Sequence, residues 1–292
     1  MIEQKSGGRL KIKLYFSESL AKSTEVLKAT QTGVADLTYY VVGTDKHITP
    51  LSMVTRLPFL GMPSMSVATS ILMEVYNKFP EIQKEWRGVR IVSAASLPPD
   101  FMHFTKKDIR VPADIKGLRI ICRGEWPTVL KNLGAGPVEM PIGEWYMSLE
   151  RGVVDGEITH FPVTYTTKIL DLLKHHTMFS GGTVSIAMSL FLMNLDVWNK
   201  LPRDLQKIVE EAGVWQREEI IKSDEGEQER IINQAKTTMG HTFSYLKPEE
   251  DQLWIKLGGV PIYEKWIADN EANGPAKKIF EETKRLLKQN VK

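Results

Sequence analysis

The sequence predicts an α/β protein built in two blocks joined by one long helix. Three observations lead there. Between Asp36 and Ser96 the apolar pattern switches between the two-residue period of strands and the 3.6-residue period of helices. Leu97-Pro98-Pro99-Asp100 then interrupts this order, and a second block of strands and helices runs to about residue 187. From Pro202 to Met239 a single helical pattern follows, apolar near both ends and polar on every side in the middle. A helix polar all round commonly bridges separate bodies across solvent.

The elements follow in chain order. Arg9–Phe16 alternates Leu10, Ile12, Leu14 and Phe16 against Arg9, Lys11 and Lys13, which predicts a half-buried strand. Ser23 or Thr24 can cap a helix that stops at Gly33. A strand at Asp36–Val42, a loop through Gly43 and Pro50, a helix at Ser66–Phe79 and a strand at Val89–Ser96 complete the first block. The second block holds strands near 101–105 and 118–123, then helices at Pro127–Leu133, about 143–151 and Val163–Lys174. Pro127 suits a first helical turn. Val184–Met193 is an apolar strand that crosses back to the first block. In the long helix, Leu205, Ile208, Ala212 and Trp215 form one apolar stripe and Ile231, Ile232, Ala235 and Met239 another. Gly226 between them weakens the helix by about 1 kcal/mol relative to Ala, so a break there is the alternative. Short helices make up the remainder to Lys292.

Composition narrows the function classes. The 292 residues are 42% hydrophobic and 25% charged, with 38 basic against 36 acidic residues and a net charge of +2. That suits a sizeable core and gives no basic footprint for nucleic acid. The single cysteine, Cys122, permits no internal disulfide and reads as a small packing residue. No nucleophile elbow, phosphate loop or dinucleotide fingerprint is present; Gly134-Ala135-Gly136-Pro137 lacks the third glycine. The six histidines lack metal-site spacing. His175-His176, read as helical, would point about 100° apart. No cofactor, metal or catalysis is expected; a binder needs only a cleft and a few polar anchors.

One stretch carries more. Residues 114–122 read DIKGLRIIC, and 133–156 read LGAGPVEMPIGEWYMSLERGVVDG. Leu57-Pro58-Phe59-Leu60, SGGRLKIKLYF at 6–16 and LPRDLQKIVEEA at 201–212 add to them. These words resemble the solute-binding proteins of tripartite ATP-independent periplasmic (TRAP) transporters over nearly the whole chain. The resemblance implies a two-lobed periplasmic binding protein fold of type II, with mixed sheets flanked by helices and one long helix spanning both lobes. Residues 1–99 and 188–226 would form lobe I, and 100–187 and 227–292 lobe II. It implies a periplasmic monomer that captures a small organic anion between the lobes and delivers it to TRAP membrane subunits. An extracytoplasmic sensor or carrier without a transport partner is the alternative. It further implies that the chain begins inside the family's first helix, with the first strand and export signal lying before Met1.

The departures from the family pattern bear on the ligand. The family holds a carboxylate with the Arg that ends its D-L-K-G-L-K-I-R strand, and that position here is Ile121. Arg123, two residues on, shares the strand face. It either takes over the anion contact or caps the strand end in solvent. The family's aromatic falls at Ile142, its Asn at Thr159 and its second Arg near Phe101. His103 can donate a hydrogen bond, Trp126 can stack on an aromatic ligand or face the core, and one of Tyr39 and Tyr40 turns inward. The expected ligand site is therefore Arg123, Ile121, Trp126, Ile142, Thr159, His103 and Tyr40. The loss of donors predicts a monocarboxylate with apolar or aromatic bulk.

Overall fold

The computed structural model describes residues 1–16, 18–44 and 47–290. Its helices are α1 (Ile2–Lys5), α2 (Val26–Gln31), α3 (Met65–Lys78), α4 (Pro80–Glu85), α5 (Trp126–Asn132), α6 (Trp145–Glu150), α7 (Phe161–Thr166), α8 (Leu195–Lys200), α9 (Arg203–Thr237), α10 (Pro248–Trp254), α11 (Val260–Asn270) and α12 (Ala276–Asn290). The strands are β1 (Leu37–Val41), β2 (Val89–Ser96), β3 (Phe101–Phe104), β4 (Arg119–Ile121), β5 (Gly136–Val138), β6 (Gly156–Thr159), β7 (His175–Met178), β8 (Met188–Asn194) and β9 (Thr242–Tyr245).

Two sheets organise them. The first has the order β1-β8-β2, with β8 antiparallel to both neighbours. The second is mixed, in the order β5-β4-β6-β3-β7-β9. The chain leaves the first sheet after Ser96 and returns to it at Met188. The two crossing segments lie side by side: Leu97 N donates to Ala187 O at 2.7 Å and Asp100 N to Ser185 O at 2.9 Å. Pro98 and Pro99 remove two donors here, so the ladder between the sheets is thin. The interruption read from Leu97–Asp100 is this crossing.

The long helix is one piece. α9 runs 35 residues, Gly226 included, or about 52 Å at ~1.5 Å per residue. The break at Gly226 does not occur. One end docks on β2, where the ladder to β8 shifts register between Ile91 and Ser93. A Cβ on Gly213 would stand 2.1 Å from Val92 O, so only glycine permits this approach. Ser93 Oγ donates to Gly213 O at 2.9 Å beside it. The other end carries Ile231 into a cluster with Phe101, Phe161 and Leu170.

Several expectations are corrected. Residues 9–16 form no strand: Ile12, Leu14 and Phe16 are exposed, and among the described residues no strand pairs with them. The helix expected over Val163–Lys174 is only α7 and a short 3-10 turn at Ile169–Asp171, because Lys168 turns left-handed at φ 61°. His175 and His176 lie on a strand, not a helix, and so point to opposite faces. α12 buries Ile279, Phe280, Leu286 and Leu287 and packs against α3. That places it beside the helix that covers β2. No helix of the described residues is long and apolar enough to cross a membrane.

Candidate ligand-binding site

The second sheet has two unlike faces, and strand alternation decides which residues occupy each. Met102, Phe104, Ile120, Cys122 and Ile158 enter the main core. Phe101, His103, Ile121, Glu157 and Thr159 take the other face. Ile121 is 1% exposed and packs under α6 with Trp145, Leu149 and Val154. It is a core residue here.

Arg123 continues past β4 on the face of Ile121, as expected from spacing. Its guanidinium lies over the Trp145 ring, 4.6 Å from the centroid. Such a cation–π contact contributes about 0.5–2 kcal/mol and orients the fork. Arg123 is thereby held at the junction of the two sheets, close enough to Asp100 and Glu157 to feel both charges.

A second guanidinium comes from the other side. Arg56 ends a 3-10 turn at Ser52–Arg56, and its Nη1 donates to Val42 O at 2.7 Å. Two loops close over it through glycines at positive φ. A Cβ on Gly43, after β1, would lie 3.0 Å from Arg56 Nη1, and one on Gly124, after β4, 3.4 Å from Nε. Arg56 thus joins the two sheets. Burial lowers its affinity for a proton, opposed by the charge of Asp100.

Two acids complete the cluster. Asp100 accepts a hydrogen bond from Ser185 Oγ at 2.8 Å, and burial raises its pKa to about 6. Glu157 is 1% exposed, and neither carboxyl oxygen has a hydrogen-bond partner. Burial holds its pKa well above the usual carboxylate range, with Arg123 pulling it back only in part. His160 caps α7 by accepting from Val163 N at 3.3 Å; burial, then the charge of Arg123, lowers its pKa to about 4.

The remaining expected site residues disperse. Trp126 is buried, edge-on to Phe59 at 5.1 Å, and its indole N–H donates to Ser185 Oγ at 3.0 Å. It supports the junction as a core residue and offers no open face. Ile142 is 45% exposed on a turn, outside the cluster. Tyr40 turns inward, 1% exposed, against Trp86 at 5.7 Å and within electrostatic reach of Arg56. Tyr39 faces out.

His103 and Thr159 belong to a different arrangement. His103 Nε2 donates to Thr159 O at 3.0 Å, which leaves Nδ1 to accept from His176 Nδ1 at 2.8 Å. His176 Nε2 then accepts from His241 Nδ1 at 3.0 Å, and His241 Nε2 from Lys174 Nζ at 3.4 Å. Each ring serves once as donor and once as acceptor, so all three are neutral. Burial agrees, pulling His103 down to about 3, His241 to about 4, and His176 further still.

Sequence reasoning missed Arg56, Asp100 as a site residue, Trp145 and Glu157. Glu157 left a signal, since it stands directly after Asp155-Gly156. Arg56 precedes Leu57-Pro58-Phe59-Leu60 and left none.

Comparison with known proteins identifies the family and the fold. A profile of the bacterial extracellular solute-binding proteins, family 7, matches residues 1–269. The chain belongs to that family. Among relatives, the monocarboxylate 2-oxoacid-binding periplasmic protein of Nostoc sp. is 26% identical over 226 residues, covering 73% of this chain and 58% of that protein. A solute-binding protein of Verminephrobacter eiseniae is 27% identical over 219 residues, covering 72% and 63%. The chain therefore spans less than two thirds of the length of these curated relatives. A TRAP periplasmic solute-binding protein of Desulfovibrio salexigens shares the fold at a TM-score of 0.87 and 24% identity, over 99% of this chain and 89% of that one. A marine metagenome TRAP protein specific for aromatic acids, bound to meta-hydroxyphenylacetate, gives 0.86 and 23% over 100% and 92%. The two-sheet architecture with its bridging helix is thus the family 7 fold.

Proposed function

We propose that this family 7 protein is an extracytoplasmic receptor that holds a small organic monocarboxylate between two lobes and hands it to TRAP membrane subunits. Lobe I is the small sheet with the first half of α9, and lobe II the mixed sheet. The observation that carries the reading is the pair of guanidiniums, Arg56 and Arg123, brought to the sheet junction from opposite sides. Each belongs to a different sheet's loops, so a carboxylate between them ties the lobes together. Guanidinium forks match carboxylate geometry, and such charge-assisted bonds are roughly twice as strong as neutral ones.

The charge balance favours one carboxylate over two. Asp100 offsets one of the two guanidiniums, and burial keeps Glu157 from adding full negative charge, so the remaining positive charge suits one carboxylate better than two. The Nostoc relative is named for monocarboxylate 2-oxoacids and the metagenome protein for aromatic acids, which agrees in class. The role is binding and release, without catalysis.

A thermal-shift screen of mono- and dicarboxylic acids tests this. Aromatic or branched monocarboxylates are expected to raise the melting temperature. Stabilisation by dicarboxylates alone would overturn the reading.

A further inference from the structure

We infer that Glu157 selects a hydroxylated acid, by accepting a hydrogen bond from a ligand hydroxyl while Arg56 and Arg123 hold the carboxylate; this rests on the proposed function. Both Glu157 oxygens are buried and unpartnered on the sheet face that carries Ile121 and Arg123. A buried polar atom without a partner has lost its hydration with nothing in exchange, so the position favours a donor. The neighbours do not supply one. His103 lies directly opposite on β3, but its two ring nitrogens are committed to Thr159 O and His176. Arg123 is stacked on Trp145 and makes no hydrogen bond to either oxygen. Ile121, the partner on β4, has nothing to donate. At this position the chain has placed a hydrogen-bonding group that its own fold leaves unused.

The electrostatics choose the donor. Two guanidiniums share the junction, so a ligand ammonium would meet like charge on two sides. A hydroxyl carries no such penalty and can donate to a neutral or an ionised carboxyl. The favoured class is therefore a hydroxy monocarboxylate, whether the hydroxyl lies beside the carboxylate or on an attached ring.

The test compares phenylacetate with its 2-hydroxy derivative mandelate, 3-hydroxyphenylacetate and the 2-amino derivative phenylglycine by isothermal titration. Wild-type protein is expected to bind at least one hydroxy acid about tenfold or more tighter than phenylacetate, and phenylglycine weaker than phenylacetate. Glu157→Leu should erase the hydroxyl gain, so that hydroxy acids and phenylacetate bind that variant with like affinity. Glu157→Gln, which keeps an acceptor oxygen, should retain it. Melting curves establish that each variant folds, and if Glu157→Leu does not, the wild-type series decides. A hydroxyl gain that survives Glu157→Leu, its absence in wild type, or tightest binding of phenylglycine would overturn the inference. Failure of all four acids to bind would overturn the inference, while the proposed function stands or falls on the wider thermal-shift screen.

Discussion

At the residue scale, what fixes the junction is how each polar group is satisfied. His103, His176 and His241 satisfy one another in a chain that ends on Thr159 O and Lys174. The chain explains why Glu157 stands alone, since the imidazole facing it has no nitrogen to spare. The sequence showed His103 as a donor in the right region. It could not show that β7 and β9 would bring His176 and His241 alongside, because those strands are short and were read as helix or left unassigned. Ile121 and Arg123 illustrate the opposite case. Their shared face follows from strand alternation alone, and only the stacking on Trp145 needed the structure. The imidazoles predict a pH response. A ring held neutral below its ordinary value of about 6.5 refuses a proton that the unfolded chain accepts. Its stabilisation is full above that value and is lost as pH falls below it. Asp100 and Glu157 act with the opposite sign, because the fold raises their pKa and they take up protons early. Glu85 and Asp224 are raised by burial as well, but four depressed imidazoles, His103, His160, His176 and His241, together with the partner-lowered carboxyls of Glu18, Asp204, Glu211, Glu227, Glu250 and Glu282, outnumber the raised acids. Urea unfolding should therefore show lower stability at pH 5 than at pH 7, by about 1–3 kcal/mol. Equal or greater stability at pH 5 would contradict the neutral chain.

At the element scale, α9 is the member that relates the two sheets. Its apolar end stripes and polar middle were legible in the sequence, and so was its span. Its continuity through Gly226 was not, since a glycine's cost of about 1 kcal/mol is easily outweighed by docking at both ends. The contact that fixes its first half is invisible in one sequence: Gly213 sits on Val92 O where β2 shifts register. Helix propensity alone says Gly213→Ala should stabilise. The close approach says otherwise, because the new methyl would press on a backbone carbonyl. Chemical denaturation of Gly213→Ala should show a loss of about 1–3 kcal/mol. A gain in stability would mean that α9 can shift on β2 without cost. The segment 9–16 failed as a strand for a related reason. Alternation predicts which face a strand would bury, and it cannot supply the neighbouring strand that hydrogen bonding requires.

At the scale of the whole molecule, the two sheets meet along a thin ladder at Leu97–Asp100 and Val184–Ala187, beneath a cluster of opposed charges. The fold class, the crossing point and the bridging helix all followed from pattern and from the resemblance to TRAP solute-binding proteins. The charged cluster at the junction was legible only in part. Of the expected residues, Arg123 lies in the cluster, Tyr40 lies near Arg56, and Thr159 contributes to the histidine chain. Ile142 faces solvent, while Ile121 and Trp126 are core. Arg56 could not be anticipated, because its place depends on two glycine loops from different sheets closing over it. Under the proposed function, a bound acid would stabilise a closed form by its differential contacts with the two lobes. The most direct test is isothermal titration of the best monocarboxylate from the screen against wild type, Arg56→Ala and Arg123→Ala. Loss of one charge-assisted contact, about 1.5–3 kcal/mol, predicts roughly 10- to 150-fold weaker binding in each variant. Affinities within about twofold of wild type in both variants would contradict a carboxylate held between Arg56 and Arg123.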